Sequence, residues 1–180
     1  MNDKIQTILQ AIEENWGNIF IFSDVDIIFL SKFDYLVPQM LASKDIVFQA
    51  GVFACRIGPE AQKPRNTGFF IACGNEQTKA FWQQALALLS PDNRYLDPIV
   101  NRLLASRAVP TLADGYLPLE CFHPGLRSEH PWQPGDEIKL PKKLMIHHAC
   151  YTAGLDNKMK QLDYVLEKVF NRSKSDLNGK

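Results

Sequence analysis

Residues 18–30 read "NIFIFSDVDIIFL" and place two carboxylates, Asp24 and Asp26, inside one of the most apolar stretches of the chain. The length of this stretch and its β-branched and aromatic residues predict a strand that is buried on both faces, as in a parallel sheet under helices. Because side chains alternate along a strand, the two aspartates would project from one face, about 6.6–7 Å apart along the backbone. The stretch therefore predicts two converging carboxylates beside a hydrophobic core.

Two interpretations of this pair are open on the residues alone. Two carboxylates beside a core repel each other and lose solvation, and a bound divalent metal ion is the simplest compensation. Mg²⁺ and Mn²⁺ prefer such oxygen ligands and commonly keep positions that a diphosphate fills. In the other interpretation, the strand ends near Ser23 and both aspartates cap a turn in water, although the apolar run continues through Leu30.

The rest of the chain alternates between helical and strand patterns. An amphipathic first helix is indicated by apolar residues at helical spacing, namely Ile5, Ile8, Leu9, Ile12 and Trp16. Apolar runs that suit strands lie at 44–49, 68–73, 108–113 and 143–149, and helical patterns lie at 35–42, 76–90, 97–107 and 155–170. This alternation predicts an α/β domain over residues 1–170, followed by a polar tail at 171–180.

Composition excludes several classes of partner. Twenty Lys and Arg balance 20 Asp and Glu, so the charge indicates neither nucleic acid nor a membrane surface as a partner. The cysteines (Cys55, Cys73, Cys121 and Cys150) have no Cys-x-x-Cys spacing, which fits reduced thiols. No apolar run reaches the roughly 18 residues of a membrane span, and the acidic, amphipathic N-terminus is unlike a signal peptide. We therefore expect a cytoplasmic protein.

Two motifs in the middle of the chain offer polar groups. In "RNTGFF" (65–70), Gly68 lets the backbone pass close to a ligand while Asn66 and Thr67 supply donors and acceptors, although the same residues suit an ordinary turn. In "YLDPIVN" (95–101), Asp97 stands before a proline as a helix cap. Asn101 follows one turn later on the same helix face, and a cap gives no reason for it.

The last motif, "HHACYTAGLDNK" (147–158), combines two histidines, a glycine and a lysine. Adjacent residues on a strand point to opposite faces, so at most one of His147 and His148 faces a site. A neutral imidazole can complete an oxygen-rich Mn²⁺ site, and the ammonium of Lys158 can neutralise a phosphate.

In their order along the chain, "FSDVDIIFL", "KDIVFQ", "RNTGFF", "DPIVN" and "HHACYTAGLDNK" resemble glycosyltransferases of the GT-A class, specifically the nucleotide-diphospho-sugar transferase family. The resemblance covers roughly residues 1–166 and implies a single GT-A-like, Rossmann-like domain with a mostly parallel or mixed sheet flanked by helices. It implies transfer of a sugar from a nucleoside-diphosphate donor, a UDP-sugar by preference, to an unknown glycan or small-molecule hydroxyl acceptor, with Mn²⁺ or Mg²⁺ as cofactor.

The resemblance also implies roles for individual residues. Asp24, Asp26 and His148 would bind the metal ion, with His147 as the alternative to His148. The donor would be bound by Asp24, Asn66, Thr67, Gly68, Asn101, Gly154 and Lys158, and Asn66 and Asp97 would be the catalytic residues. At the position of Asp97 the family usually carries a Gln.

Three expectations compete with or extend this assignment. A GT-A domain usually has one or two βα units ahead of the Asp-x-Asp strand, whereas this sequence has one helix there. We therefore consider an N-terminally minimal enzyme, a non-catalytic nucleotide-sugar or carbohydrate-binding fragment that needs a partner chain or a second copy, and an inactive remnant. Asp-x-Asp at a strand end also resembles the haloacid-dehalogenase phosphatases, but their later acidic motif is absent. Finally, Trp132 in segment 122–137 either stacks on a sugar or packs in a surface connection.

Overall fold

The computed structural model describes residues 2–51, 64–91, 95–122 and 130–178. The helices are α1 (Asn2–Glu14), α2 (Val37–Leu41, after a 3₁₀ turn at Asp34–Leu36), α3 (Glu76–Ala87), α4 (Leu96–Ala105) and α5 (Leu155–Asn178). The strands are β1 (Ile19–Ser23), β2 (Ile27–Phe29), β3 (Ile46–Ala50), β4 (Arg65–Cys73), β5 (Asp114–Tyr116) and β6 (Ile146–His148). The prediction of an α/β fold with a mixed sheet and flanking helices is confirmed.

The chain divides into two compact units, and the first contains Met1–Ser23 and Asp34–Leu117. Its sheet has the strand order β1-β4-β3-β5, in which β4 is antiparallel to both β1 and β3 and β5 is parallel to β3. Strand β3 is buried along its whole length. Strand β1 lies at the end of the sheet order, and Ile19 and Ile21 on one of its faces are more than 40% exposed. The expectation that the first strand is buried on both faces is therefore wrong.

Helices α1, α3 and α4 pack against one face of this sheet and form its main core. Ile5, Ile8 and Ile12 of α1 are fully buried, so the helical spacing seen in the sequence marks the face that meets the sheet. Phe70 of β4 stacks on Trp82 of α3, with ring centroids 5.2 Å apart. Fully buried aromatic side chains of this size contribute a large share of the hydrophobic stabilisation.

The stretch at 18–30 forms two strands, not one. Strand β1 ends at Ser23, a turn follows, and β2 begins at Ile27. Aspartate has low β propensity, and Val25 between the two aspartates is fully exposed, so the apolar run is interrupted here although it resumes in β2. The interpretation in which the strand ends near Ser23 is the correct one for the backbone.

A second difference concerns residues 108–113, which were predicted to form a strand. They form turns, with Leu112 N–H donating to the Val109 carbonyl at 3.1 Å, and the strand follows at β5. Arg107, just after α4, has a φ of +50°, in the left-handed region that residues other than glycine adopt mainly in turns. The apolar residues of this segment, among them Val109 and Leu112, pack against the core from the turn.

Asp45 connects three segments of the first unit. Its Oδ1 accepts from Asn75 Nδ2 at 2.6 Å, and its Oδ2 accepts from Ala113 N–H at 2.8 Å. Asn75 also caps α3, because its Oδ1 accepts from Thr78 N–H at 2.9 Å. These bonds hold the start of α3 and the approach to β5 beside the start of β3.

The second unit contains Asp24–Phe33 and Pro118–Lys180. Strand β2 pairs antiparallel with β6, and α5 continues to Asn178, into the stretch that was predicted to be a tail. Trp132 is 2% exposed in a core with Ile138, Leu140, Leu144 and Val165, and its indole N–H donates to the Asp136 carbonyl at 3.2 Å. Trp132 is thus a packed residue; residues 123–129 of its segment lie outside the described part.

Two further expectations concern the cysteines and the membrane. Cys73, Cys121 and Cys150 are free thiols, and Cys55 lies outside the described residues. Among the residues described, none of the helices combines the length and the apolar character needed to cross a membrane.

Candidate metal and diphosphate site

The pairing of β2 with β6 brings Asp24, Asp26 and His148 together within the second unit. The register places Ile27 opposite His148, and the Ala149 N–H donates to the Asp26 carbonyl at 2.9 Å. The turn before β2 and the end of β6 are therefore fixed side by side through their backbones. Two aspartates that stand two residues apart in the sequence thereby meet a histidine from a distant segment.

One ligand atom from each of Asp24, Asp26 and His148 lies within 4.8 Å of the other two. His148 Nε2 is 3.2 Å from Asp26 Oδ1, and the His148 side chain is 6% exposed. Two carboxylate oxygens and an imidazole nitrogen suit Mn²⁺ and also fit Mg²⁺ or a similar divalent ion. The three residues could thus hold a divalent cation, as the sequence predicted.

Lys158 of α5 adds a positive charge to this cluster. Its Nζ donates to Asp26 Oδ2, on the side of the carboxylate away from the oxygen that His148 approaches. Burial raises the pKa of Asp26, but the hydrogen bonds and charges of His148 and Lys158 outweigh burial and hold the pKa well below its ordinary range. Asp26 is therefore ionised at every pH at which the protein would work.

The loop between β6 and α5 places Lys158 relative to His148. Tyr151 and Gly154 have φ values of +54° and +80°, and such backbone strain in a residue other than glycine is concentrated at functional sites. The backbone N–H of Trp132 donates to the Tyr151 carbonyl at 2.9 Å. The Thr152 hydroxyl donates to Oε1 of the fully buried Gln161 at 3.0 Å. Both bonds hold the loop in place. A glycine suits position 154, just before α5, because the backbone there has a positive φ that other residues rarely adopt.

His148, and not His147, belongs to the cluster. The two histidines are adjacent on β6, so their side chains point to opposite faces, and His147 is fully buried. The geometry agrees with the choice of His148 as the candidate metal ligand.

The remaining predicted site residues lie in the first unit, where β4 begins beside α4. Thr67 donates twice to Asp97 Oδ1, from its N–H at 3.0 Å and from its hydroxyl at 2.5 Å. Tyr95 is the N-cap of α4 and Asp97 lies within the first turn, so the prediction that Asp97 caps the helix is wrong. Asn66 Oδ1 accepts from the N–H of Gly68 at 2.8 Å.

Asn101 pairs with the backbone of β4 almost as a neighbouring strand would. Its Oδ1 accepts from Arg65 N–H at 2.7 Å, and its Nδ2 donates to the Arg65 carbonyl at 2.9 Å. The same Nδ2 donates to the Asp97 carbonyl at 2.7 Å. Asp97 and Asn101 therefore hold α4 to the residues on either side of Asn66.

A comparison with protein-family models bears directly on these residues. The model described as nucleotide-diphospho-sugar transferase matches residues 2–162, which include every candidate site residue in both units. The chain belongs to this family. A comparison with curated proteins found no significant match.

Membership of the nucleotide-diphospho-sugar transferase family supports a glycosyltransferase that uses a nucleotide-sugar donor. The match favours this class over the phosphatases. In this transferase the cluster of Asp24, Asp26 and His148 is formed by the segments that the resemblance assigned to the metal.

The sequence analysis missed three polar residues around the start of β4, namely Arg65, Asp114 and Gln49. Arg65 Nη2 pairs with Asp114 Oδ2, and the guanidinium lies 4.5 Å from the centroid of the Tyr116 ring. Gln49, fully buried, stands opposite Asn66 at a β-bulge in β3. Gln49 could have been identified, because it is a polar residue at the end of the apolar run at 44–49. Nothing in the sequence indicates that Arg65 pairs with Asp114, 49 residues away.

Proposed function

We propose that the protein transfers a sugar from a nucleoside-diphosphate donor, with a UDP-sugar as the first candidate, to a hydroxyl acceptor, and that Mn²⁺ or Mg²⁺ is its cofactor. The observation that carries the proposal is the convergence of Asp24, Asp26, His148 and Lys158 in a chain of this family. A cluster of carboxylates, imidazole and ammonium is suited to a metal and a diphosphate together.

The cluster's residues have distinct parts in this proposal. Asp24 and Asp26 would hold the cation, and His148 would complete the site through an unprotonated ring nitrogen. When bound, the cation supplies Lewis-acid stabilisation of the diphosphate that leaves. Lys158 adds its charge on the diphosphate side, and Gly154 permits the turn that delivers Lys158 at the start of α5.

The residues of β4 and α4 are proposed to serve the sugar. Asn66, Thr67 and Gly68 offer amide, hydroxyl and backbone groups to the donor, and Asn66 is the candidate catalytic residue among them. Asp97, predicted to be catalytic, is proposed to act through Thr67, since its Oδ1 already accepts two hydrogen bonds from that residue. Asn101 fixes the backbone of Arg65 just before Asn66.

The experiment is a thermal unfolding screen of the protein in Mn²⁺ against nucleotide sugars with different bases and sugars, and against free UDP and GDP. A ligand at 100 times its dissociation constant stabilises by about 2.7 kcal/mol. For a chain of this length that corresponds to a rise of about 5–11 °C in the melting temperature.

The matched variants are Asp24→Asn/Asp26→Asn, which keeps side-chain shape but removes the charges, and Asp163→Asn, an exposed aspartate on α5. We expect one donor to raise the melting temperature only with metal, in the wild type and in Asp163→Asn but not in the double variant. A folded wild type that no nucleotide sugar stabilises would overturn the proposal.

A further inference from the structure

Both oxygens of the Asp26 carboxylate already have partners. His148 Nε2 approaches Oδ1 at 3.2 Å, and Lys158 Nζ donates to Oδ2. A metal ion that binds Asp26 therefore does not meet a vacant carboxylate. It meets an ammonium that already provides the counter-charge.

The charges of the cluster make this competition consequential. Two carboxylates and one ammonium leave the cluster with a net negative charge when His148 is neutral, and a divalent cation makes it positive if Lys158 stays in place. Asp26 is 15% exposed, so water screens the repulsion between a bound cation and the ammonium only weakly. A diphosphate beside the cation removes that excess of positive charge.

The partly exposed side chain of Lys158 can move away from Asp26. Its side chain is 33% exposed, and four methylenes carry the ammonium from the surface of α5. Movement of the ammonium away from Asp26 therefore breaks one ion pair without opening the core of the second unit. The buried Gln161, one turn further along α5, is bonded to Thr152 and keeps the helix start in place meanwhile.

We propose that Lys158 couples metal binding to donor binding: its ammonium occupies Asp26 while the metal is absent and turns to the donor diphosphate when the metal binds. This inference rests on the proposed function, because the diphosphate is the second ligand of the ammonium. Linkage then requires that metal and diphosphate each raise the affinity for the other by the same factor.

The experiment measures Mn²⁺ affinity by isothermal titration and by the electron paramagnetic resonance signal of free Mn²⁺, first alone and then with saturating UDP. The variants are Lys158→Met, which removes the ammonium but keeps the stem, and Lys158→Arg, which keeps the charge. Lys160→Met, an exposed lysine two residues along α5 with its side chain on another face, is the matched control.

We expect Lys158→Met to bind Mn²⁺ alone at least about fivefold more tightly than the wild type, the low end of usual coupling factors. We also expect UDP to increase its Mn²⁺ affinity at least about fivefold less than it does for the wild type. Lys158→Arg and Lys160→Met should behave like the wild type, and circular dichroism should show all variants folded.

The failures can be told apart. If the wild type binds both Mn²⁺ and UDP but Lys158→Met binds Mn²⁺ no more tightly, the coupling role is wrong and the proposed function stands. If the wild type binds Mn²⁺ but neither UDP nor GDP, and no nucleotide sugar stabilises it in the thermal screen, the coupling and the proposed function fail together.

Discussion

Replacement of Asn101 by alanine tests whether its amide holds α4 to the start of β4. The wild-type amide makes two bonds to the backbone of Arg65, a residue that is 7% exposed, and one to the Asp97 carbonyl. Alanine removes all three bonds and leaves the Arg65 N–H and carbonyl away from water without these partners.

The magnitude follows from the groups that lose a partner. A hydrogen bond contributes about 0.5–1.5 kcal/mol net, and a buried backbone group without a partner costs about 1–3 kcal/mol. We expect Asn101→Ala to lower the free energy of unfolding by about 2–4 kcal/mol, since part of the loss is recovered by water and by small backbone shifts. A loss of about 3 kcal/mol lowers the melting temperature of a chain this long by about 6–12 °C.

The assay is urea denaturation followed by circular dichroism, with the midpoint and the slope m compared between variants. Arg102→Ala, next along α4 and exposed, is the control and should stay within about 0.5 kcal/mol of the wild type. A midpoint for Asn101→Ala equal to that of the control, at unchanged m, would refute the structural role of Asn101. The residue would then be explained by ligand binding alone.

Three further stability measurements test other parts of the account. Phe70→Ala should cost about 3–5 kcal/mol in urea denaturation, because Phe70 is fully buried against Trp82, and a cost below about 1 kcal/mol would contradict this packing. Asn75→Ala should cost about 1–2 kcal/mol, because it removes both the cap bond to Thr78 N–H and the bond to Asp45, and a midpoint equal to that of the wild type would contradict both bonds. Burial raises the pKa of Asp26, but the hydrogen bonds and charges of His148 and Lys158 lower it by more, so the pKa is lower in the folded than in the unfolded protein. The ionised Asp26 therefore stabilises the fold above its unfolded pKa of about 4, and this stabilisation is lost as the pH falls below that value. In chelator, Asp26→Asn should therefore flatten the acid side of the stability curve, and an unchanged slope would contradict the ion pairs.

The parts of the fold that depend on local pattern could be predicted from the sequence. Helix α1 follows from the spacing of Ile5, Ile8 and Ile12, which are all fully buried. The break between β1 and β2 could not be decided in the same way, because the apolar residues on both sides of Asp24 and Asp26 suggested one strand. The strands pair with different partners, β1 with β4 and β2 with β6, and only the tertiary structure decides such pairing.

The candidate site shows the same division. Asp24, Asp26, His148 and Lys158 were identified because short motifs in a fixed order resemble a family, and the structure brings these four side chains together. The contact of Lys158 with Asp26, 132 residues away, could not be predicted from either segment. Trp132 was ambiguous because an aromatic residue in a loop suits both a ligand and a core.

The most direct test of the central claim is release of nucleoside diphosphate from the donor that the thermal screen selects. The wild type would be incubated with the donor and Mg²⁺ or Mn²⁺, and separately with the donor and excess chelator. The Asp24→Asn/Asp26→Asn variant would be incubated with the donor and metal. Water and a panel of hydroxyl compounds would be the acceptors, and chromatography of the quenched reactions would measure the nucleotide products. We predict metal-dependent release that falls at least about 100-fold in chelator and in the double variant, the scale of a lost stabiliser of developing charge. Equal release in chelator, or a bound donor that the wild type never consumes, would contradict a metal-dependent transferase.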